Sequence, residues 1–102
     1  MELTVLVVPD CPHADLLDQR LDRVLADWTE LTVTRRTVTD LDQAQRWGMR
    51  GSPTLLLDDI DPFAIAGQPP NLSCRLYRDP DGRVDGAPSV DALRNAIEHA
   101  LR

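Results

Sequence analysis

The stretch Leu3-Thr4-Val5-Leu6-Val7-Val8-Pro9-Asp10-Cys11-Pro12-His13-Ala14 decides the reading of the fold. Its first six residues are a continuous run of apolar or β-branched side chains, the pattern of a strand buried on both faces. Pro9-Asp10 ends the run, and Pro12 suits the first position of a helix. Beyond it, Ala14, Leu17, Leu21, Val24, Leu25 and Trp28 recur at helical spacing, with Asp15, Asp18, Arg20, Asp22 and Arg23 between them. That spacing predicts an amphipathic helix of about four turns. Cys11 therefore falls at a strand-to-helix junction.

Further along, Leu31 to Val38 alternates and is rich in β-branched residues, predicting a second strand with one exposed face. Thr39-x-x-Asp42 reads as the cap of a short helix that carries Leu41, Ala44 and Trp47 and stops at Gly48. Met49-Arg50-Gly51-Ser52-Pro53-Thr54 is a turn feeding the buried strand Leu55-Leu56-Leu57, with Asp58-Asp59 as the next turn. The segment from Asp61 to Asn71 holds Pro62, Gly67, Pro69 and Pro70, a loop composition. Ser73 to Arg78 reads as a strand and Asp79-Pro80-Asp81-Gly82 as a tight turn. Pro88-Ser89 opens a last helix striped by Val90, Leu93, Ala96, Ile97, Ala100 and Leu101. The expected order is β-α-β-α-β-β-α: an α/β fold with a central mixed four-stranded sheet flanked by helices, one domain over residues 1–102.

Composition narrows the function classes. The net charge is -6, with no basic face for a phosphate backbone, so nucleic acid is not an expected partner. All eleven basic residues are Arg, which excludes a lysine Schiff base. No apolar run approaches the roughly 20 residues of a membrane span. The start Met1-Glu2-Leu3-Thr4-Val5 lacks the basic opening and cleavage site of a signal peptide, so the cytoplasm is the expected location. Two cysteines are too few for a secreted disulfide framework.

Three segments together resemble the thioredoxin-like superfamily across nearly the whole chain: Val7-Val8-Pro9-Asp10-Cys11-Pro12-His13, then Gly48-Met49-Arg50-Gly51-Ser52-Pro53-Thr54-Leu55, then Gly86-Ala87-Pro88-Ser89. The resemblance is nearest to small bacterial thioredoxin-like proteins with a single cysteine at this position, some of them labelled as related to alkylmercury lyase. It implies a cis Ser52-Pro53 bond and a Ser52 backbone open to pair with an extended substrate. It also implies ligand contacts from Pro12, Ser52, Pro53 and Thr54. The chain departs from the redox-active Cys-x-x-Cys pattern, because Ala14 stands where the second cysteine would be. Pro12-His13 matches the middle dipeptide of periplasmic disulfide oxidases.

The chemistry centres on Cys11. A thiolate is the nucleophile, and a helix N-terminus and a protonated His13 favour it, while Asp10 opposes it. One thiol leaves two routes: a mixed disulfide with a protein thiol or a low-molecular-weight thiol such as glutathione, resolved externally, or resolution by Cys74. The bland reading of Cys74 is a buried strand cysteine, that of His13 a solvated first-turn residue, and Asp61, Pro62 and Phe63 flank the site or anchor a turn. No cofactor is expected. Two other classes stay open: a redox-inert module binding a protein or ligand through the loop Asp61–Asn71, and soft-metal or organomercurial binding by Cys11 or Cys74. Cys11, His13, Cys74 and His99 do not have zinc-site spacing. A Cys-x5-Arg phosphatase is excluded by Leu17.

Overall fold

The computed structural model describes residues 1–102. The chain runs β1 (Leu3–Val7), α1 (Ala14–Leu25), β2 (Val33–Thr37), α2 (Leu41–Trp47), β3 (Arg50–Ser52), β4 (Thr54–Leu57), β5 (Asn71–Cys74), β6 (Tyr77–Arg78), β7 (Val84–Asp85) and α3 (Val90–Leu101). All five residues of β1 are buried, because β1 is the middle strand and its two faces are both covered. β2 lies parallel to it, with Leu3 opposite Val33 and Val7 opposite Thr37. β4 lies antiparallel on the other edge, with Leu3 opposite Leu57 and Leu6 opposite Thr54.

Strand pleating sends alternate side chains to opposite faces. Leu3, Val5 and Val7 pack with Leu17, Leu21 and Val24 of α1 and with Leu93 and Ile97 of α3. Leu6 faces the other way, into a smaller cluster with Val38, Ala44 of α2, Met49 and Leu56. The result is helix, sheet, helix, with Cys11 packed at the margin of the larger cluster.

The expected four-stranded sheet is corrected. The central sheet has three strands, β2-β1-β4, and two small pairs stand apart from it: β3 with β5, and β6 with β7. The expected strand Ser73–Arg78 divides at Arg75-Leu76. Its first part pairs in parallel with β3, and its second part turns into a hairpin with β7. The cause of the break is Arg75, whose side chain is drawn inward to a buried partner, Asp61. Between β3 and β4 stands Pro53, which has no N–H to contribute to a ladder.

Helix ends differ in detail. α1 begins at Ala14, so Pro12 lies in a turn and not in the first helical position, and Trp28 lies beyond the helix end. The cap of α2 is Asp40, whose carboxylate accepts from the Gln43 amide, one residue after the expected Thr39. Thr39 donates its N–H to the Gln43 side chain at 2.9 Å instead. β2 is exposed along all five residues, not on one face only. No helix is long and apolar enough to cross a membrane.

Candidate functional site

Asp10 adopts a left-handed conformation, φ 59°, and so reverses the chain directly after β1. Cys11 follows. Its N–H donates to the Val8 carbonyl at 3.3 Å and its carbonyl accepts from Ala14 N–H at 3.4 Å. Cys11-Pro12-His13 is therefore a tight turn delivering the chain into α1, and Cys11 is half-buried. His13 occupies the N-cap position without a side-chain capping bond. The first-turn amides of Asp15 and Leu16 find no acceptor within the chain, which is the usual condition of a helix start.

The His13 imidazole lies directly against Gly86, in the turn between β7 and α3, where no side chain stands between them. Asp85 next to it is paired with Arg20 of α1 at 2.7 Å. The Arg20 side-chain bond first, and the Gly86 amide second, hold the Asp85 carboxyl below its ordinary value, and the charge of His13 acts in the same direction.

Ser52-Pro53 is a cis peptide. Ser52 is buried, and its Oγ and its carbonyl each hold a partner within the chain. Its Oγ accepts from Val8 N–H at 3.0 Å, and its carbonyl accepts from Arg75 N–H at 3.0 Å. The backbone expected to be open to an extended substrate is thus occupied by the chain's own β5. Thr54 is equally engaged: its hydroxyl donates to Gly51 O at 2.6 Å and accepts from the Arg75 guanidinium at 3.2 Å. Both residues are buried, so neither hydroxyl faces a ligand at the surface.

Cys74 is exposed, at the end of β5 and not the start of a strand, and in register with Ser52. Cys74 lies opposite Ser52 across the β3–β5 pair, where the bond to the Ser52 carbonyl comes from the Arg75 N–H; Ser52 Oγ takes the Val8 N–H, and the Val8 carbonyl takes the Cys11 N–H. Both thiols are free. No surface cleft is lined by either one; the largest, about 740 Å³, lies between α3 and the Asp58–Phe63 segment. No three His, Cys, Asp or Glu side chains converge as metal ligands.

Behind Ser52 and Pro53 sits a polar cluster that the sequence did not announce. Arg75 and Asp61 form a buried ion pair, 2.7 Å between nearest atoms. Arg75 also donates to Phe63 O at 2.9 Å, and its guanidinium lies 4.6 Å over the Tyr77 ring. The Tyr77 hydroxyl donates to Pro53 O. Burial pushes the Tyr77 phenol well up; Arg75 lowers it, while Asp61 and the charge at Cys11 raise it. Asp61-Pro62-Phe63 carried a signal in the sequence; Arg75 and Tyr77 carried none. Arg20 stands seven residues after His13, hence on the same helix face, and that spacing could have pointed to it.

The fold and this site define a mixed α/β protein with three helices and a mixed three-stranded central sheet, carrying a thiol just past its middle strand. Compared with protein-family models, curated proteins and solved structures, the chain matches none of them.

Proposed function

We propose that the chain is a thioredoxin-like protein that performs thiol–disulfide exchange through Cys11, with a low-molecular-weight disulfide of the glutathione class as its substrate. The observation that carries the reading is that Ser52, whose Oγ takes the Val8 N–H next to the Cys11 turn, also faces Cys74 across the β3–β5 pair, so both cysteines adjoin the Val8–Ser52 contact. A parallel β1–β2 pair, an antiparallel β4 and helices on both faces support the thioredoxin-like assignment. β5 fills the edge at Ser52, which favours a small disulfide over an extended polypeptide.

In the exchange, the Cys11 thiolate attacks one sulfur of the disulfide. The old S–S bond breaks, and the departing sulfur leaves with the electron pair and takes up a proton. Either Cys74 then attacks the Cys11 sulfur, forming the Cys11–Cys74 bond and expelling the second half of the substrate as a thiol, or an external thiol attacks the substrate-derived sulfur, forming a new disulfide with it and returning Cys11 as a thiol. A reducing compartment such as the cytoplasm supplies that external thiol. The substrate disulfide is the oxidant, so the electrons balance.

Incubation with glutathione disulfide, followed by mass spectrometry, tests this. Cys74→Ser should accumulate the adduct on Cys11. In the unaltered chain that adduct should resolve, either to an internal Cys11–Cys74 pair or, on addition of reduced glutathione, to the free Cys11 thiol. Cys11→Ser should form its adduct at least about tenfold more slowly, as expected when an activated thiol is replaced by an ordinary one. Equal rates for the two single variants would sink the assignment.

A further inference from the structure

Gly86 is buried, yet its conformation does not require glycine, since it does not have the positive φ of Gly48, Gly51, Gly67 or Gly82. A Cβ built there meets the Cγ, Nδ1 and Cδ2 atoms of the His13 ring as its nearest neighbours, and it meets them in overlap. An alanine at 86 is therefore opposed first by the imidazole. The absence of a side chain at this position serves the ring of His13.

The turn that carries Gly86 is held from the helix whose N-cap is His13. Arg20 donates to Ala87 O at 2.9 Å, to Pro88 O at 3.1 Å and to Asp85 Oδ2 at 2.7 Å. Gly86 N–H donates to the other Asp85 oxygen at 2.7 Å. Seven residues separate His13 and Arg20, two helical turns, so both project toward the Asp85–Pro88 turn. The N-cap of α1 thus supplies the ring, and the helix itself supplies the clamp that fixes the surface under it.

We propose that Gly86 is a positioning residue: it seats the His13 imidazole two residues from Cys11, and Arg20 clamps the turn so that the seat holds. This rests on Cys11 being the exchanging thiol. In that reaction the seated ring accepts the Cys11 proton as the thiolate forms. It returns the proton to the departing sulfur as the substrate S–S bond breaks. Proton and charge are conserved within the pair.

The test uses the full chain as Gly86→Ala, His13→Ala and the double variant, with two readouts. The first is the imidazole NMR spectrum, in which His99 serves as internal control. The second is the rate of Cys11 adduct formation with glutathione disulfide. Gly86→Ala should move the His13 ring signals and leave those of His99. It should slow exchange by about threefold to tenfold, toward the lower end of the coupling between contacting residues. In the His13→Ala background it should change the rate no further. His13 signals unmoved in Gly86→Ala, or an equal loss of rate with and without His13, would overturn the proposal. Arg20→Met leaves position 86 untouched and should move the same His13 signals; if they stay in place, the clamp is wrong. If the unaltered chain shows no exchange at Cys11, the functional reading fails, while the ring signals still decide whether the seat exists.

Discussion

Tyr77 is the only tyrosine of the chain, and it is buried with its hydroxyl bonded to the Pro53 carbonyl. Burial is the largest cause of its raised pKa. The sign follows from linkage. The folded state prefers the neutral phenol, so this contribution to stability is complete below the ordinary tyrosine value near 10 and declines as pH rises above it. With no lysine in the chain, few other side chains titrate in that window. Urea unfolding between about pH 9 and pH 11 should show an alkaline decline that Tyr77→Phe flattens. The same variant should lose about 1 kcal/mol near pH 7 through the missing hydrogen bond. A decline of equal slope in both proteins contradicts the assignment. At this scale the sequence showed Cys11, His13 and the Ser52-Pro53-Thr54 segment, because each sits at a junction marked by proline or by the end of an apolar run. It concealed Arg75. An arginine among Ser73, Cys74, Leu76 and Tyr77 looks like an outward strand residue, and only the distant Asp61 turns it inward.

Element boundaries divided the same way. Stops written in local chemistry were readable: Gly48 ends α2 in a left-handed conformation, Ser89 caps α3 through the Ala92 amide, and Gly82 closes the turn between β6 and β7. What local chemistry does not contain is the partner of a strand. β5 and β6 read as one element because their residues have one character, yet they pair with β3 and β7 in separate sheets. Gly51 makes the β3–β5 approach possible. Its φ is 106°, and a Cβ there would stand 2.8 Å from the Arg75 Cβ. Gly51→Ala should therefore cost about 1–3 kcal/mol, the range for a side chain forced into such a conformation. It should also loosen β5, so that iodoacetamide modifies Cys74 faster while Cys11→Ser keeps the assay specific. An unchanged Cys74 rate would show that β5 does not depend on this contact.

Across the whole molecule, β1 serves two cores. Leu3, Val5 and Val7 belong to the cluster under α1 and α3, and Leu6 belongs to the cluster under α2. The two tryptophans are placed as separate reporters, Trp28 against the first cluster and Trp47 against the second. Because one strand is common to both, the clusters should unfold together. Fluorescence of Trp28→Phe and Trp47→Phe in urea, each corrected to a common stability by circular dichroism, should give midpoints that coincide with the loss of helix. Separate midpoints would divide the molecule into two cooperative units. The layered α/β character was legible from the alternation of apolar periods. The number of strands in the central sheet was not, since that depends on where Arg75 finds its counter-charge.

β2 leaves one edge of the central sheet without a neighbour, and its five residues are exposed. Such an edge is a template onto which another strand can be laid. Two adjacent arginines guard it: Arg35 is tied to Asp18 at 2.8 Å, and Arg36 lies 4.6 Å over the Trp47 ring. Two copies joined edge to edge about a two-fold axis through Arg35 would set that guanidinium against its own image and Thr34 against Arg36. The charge that closes the edge to self-association is the same charge that would welcome a strand bearing acidic residues, so this open edge is selective in what it can accept.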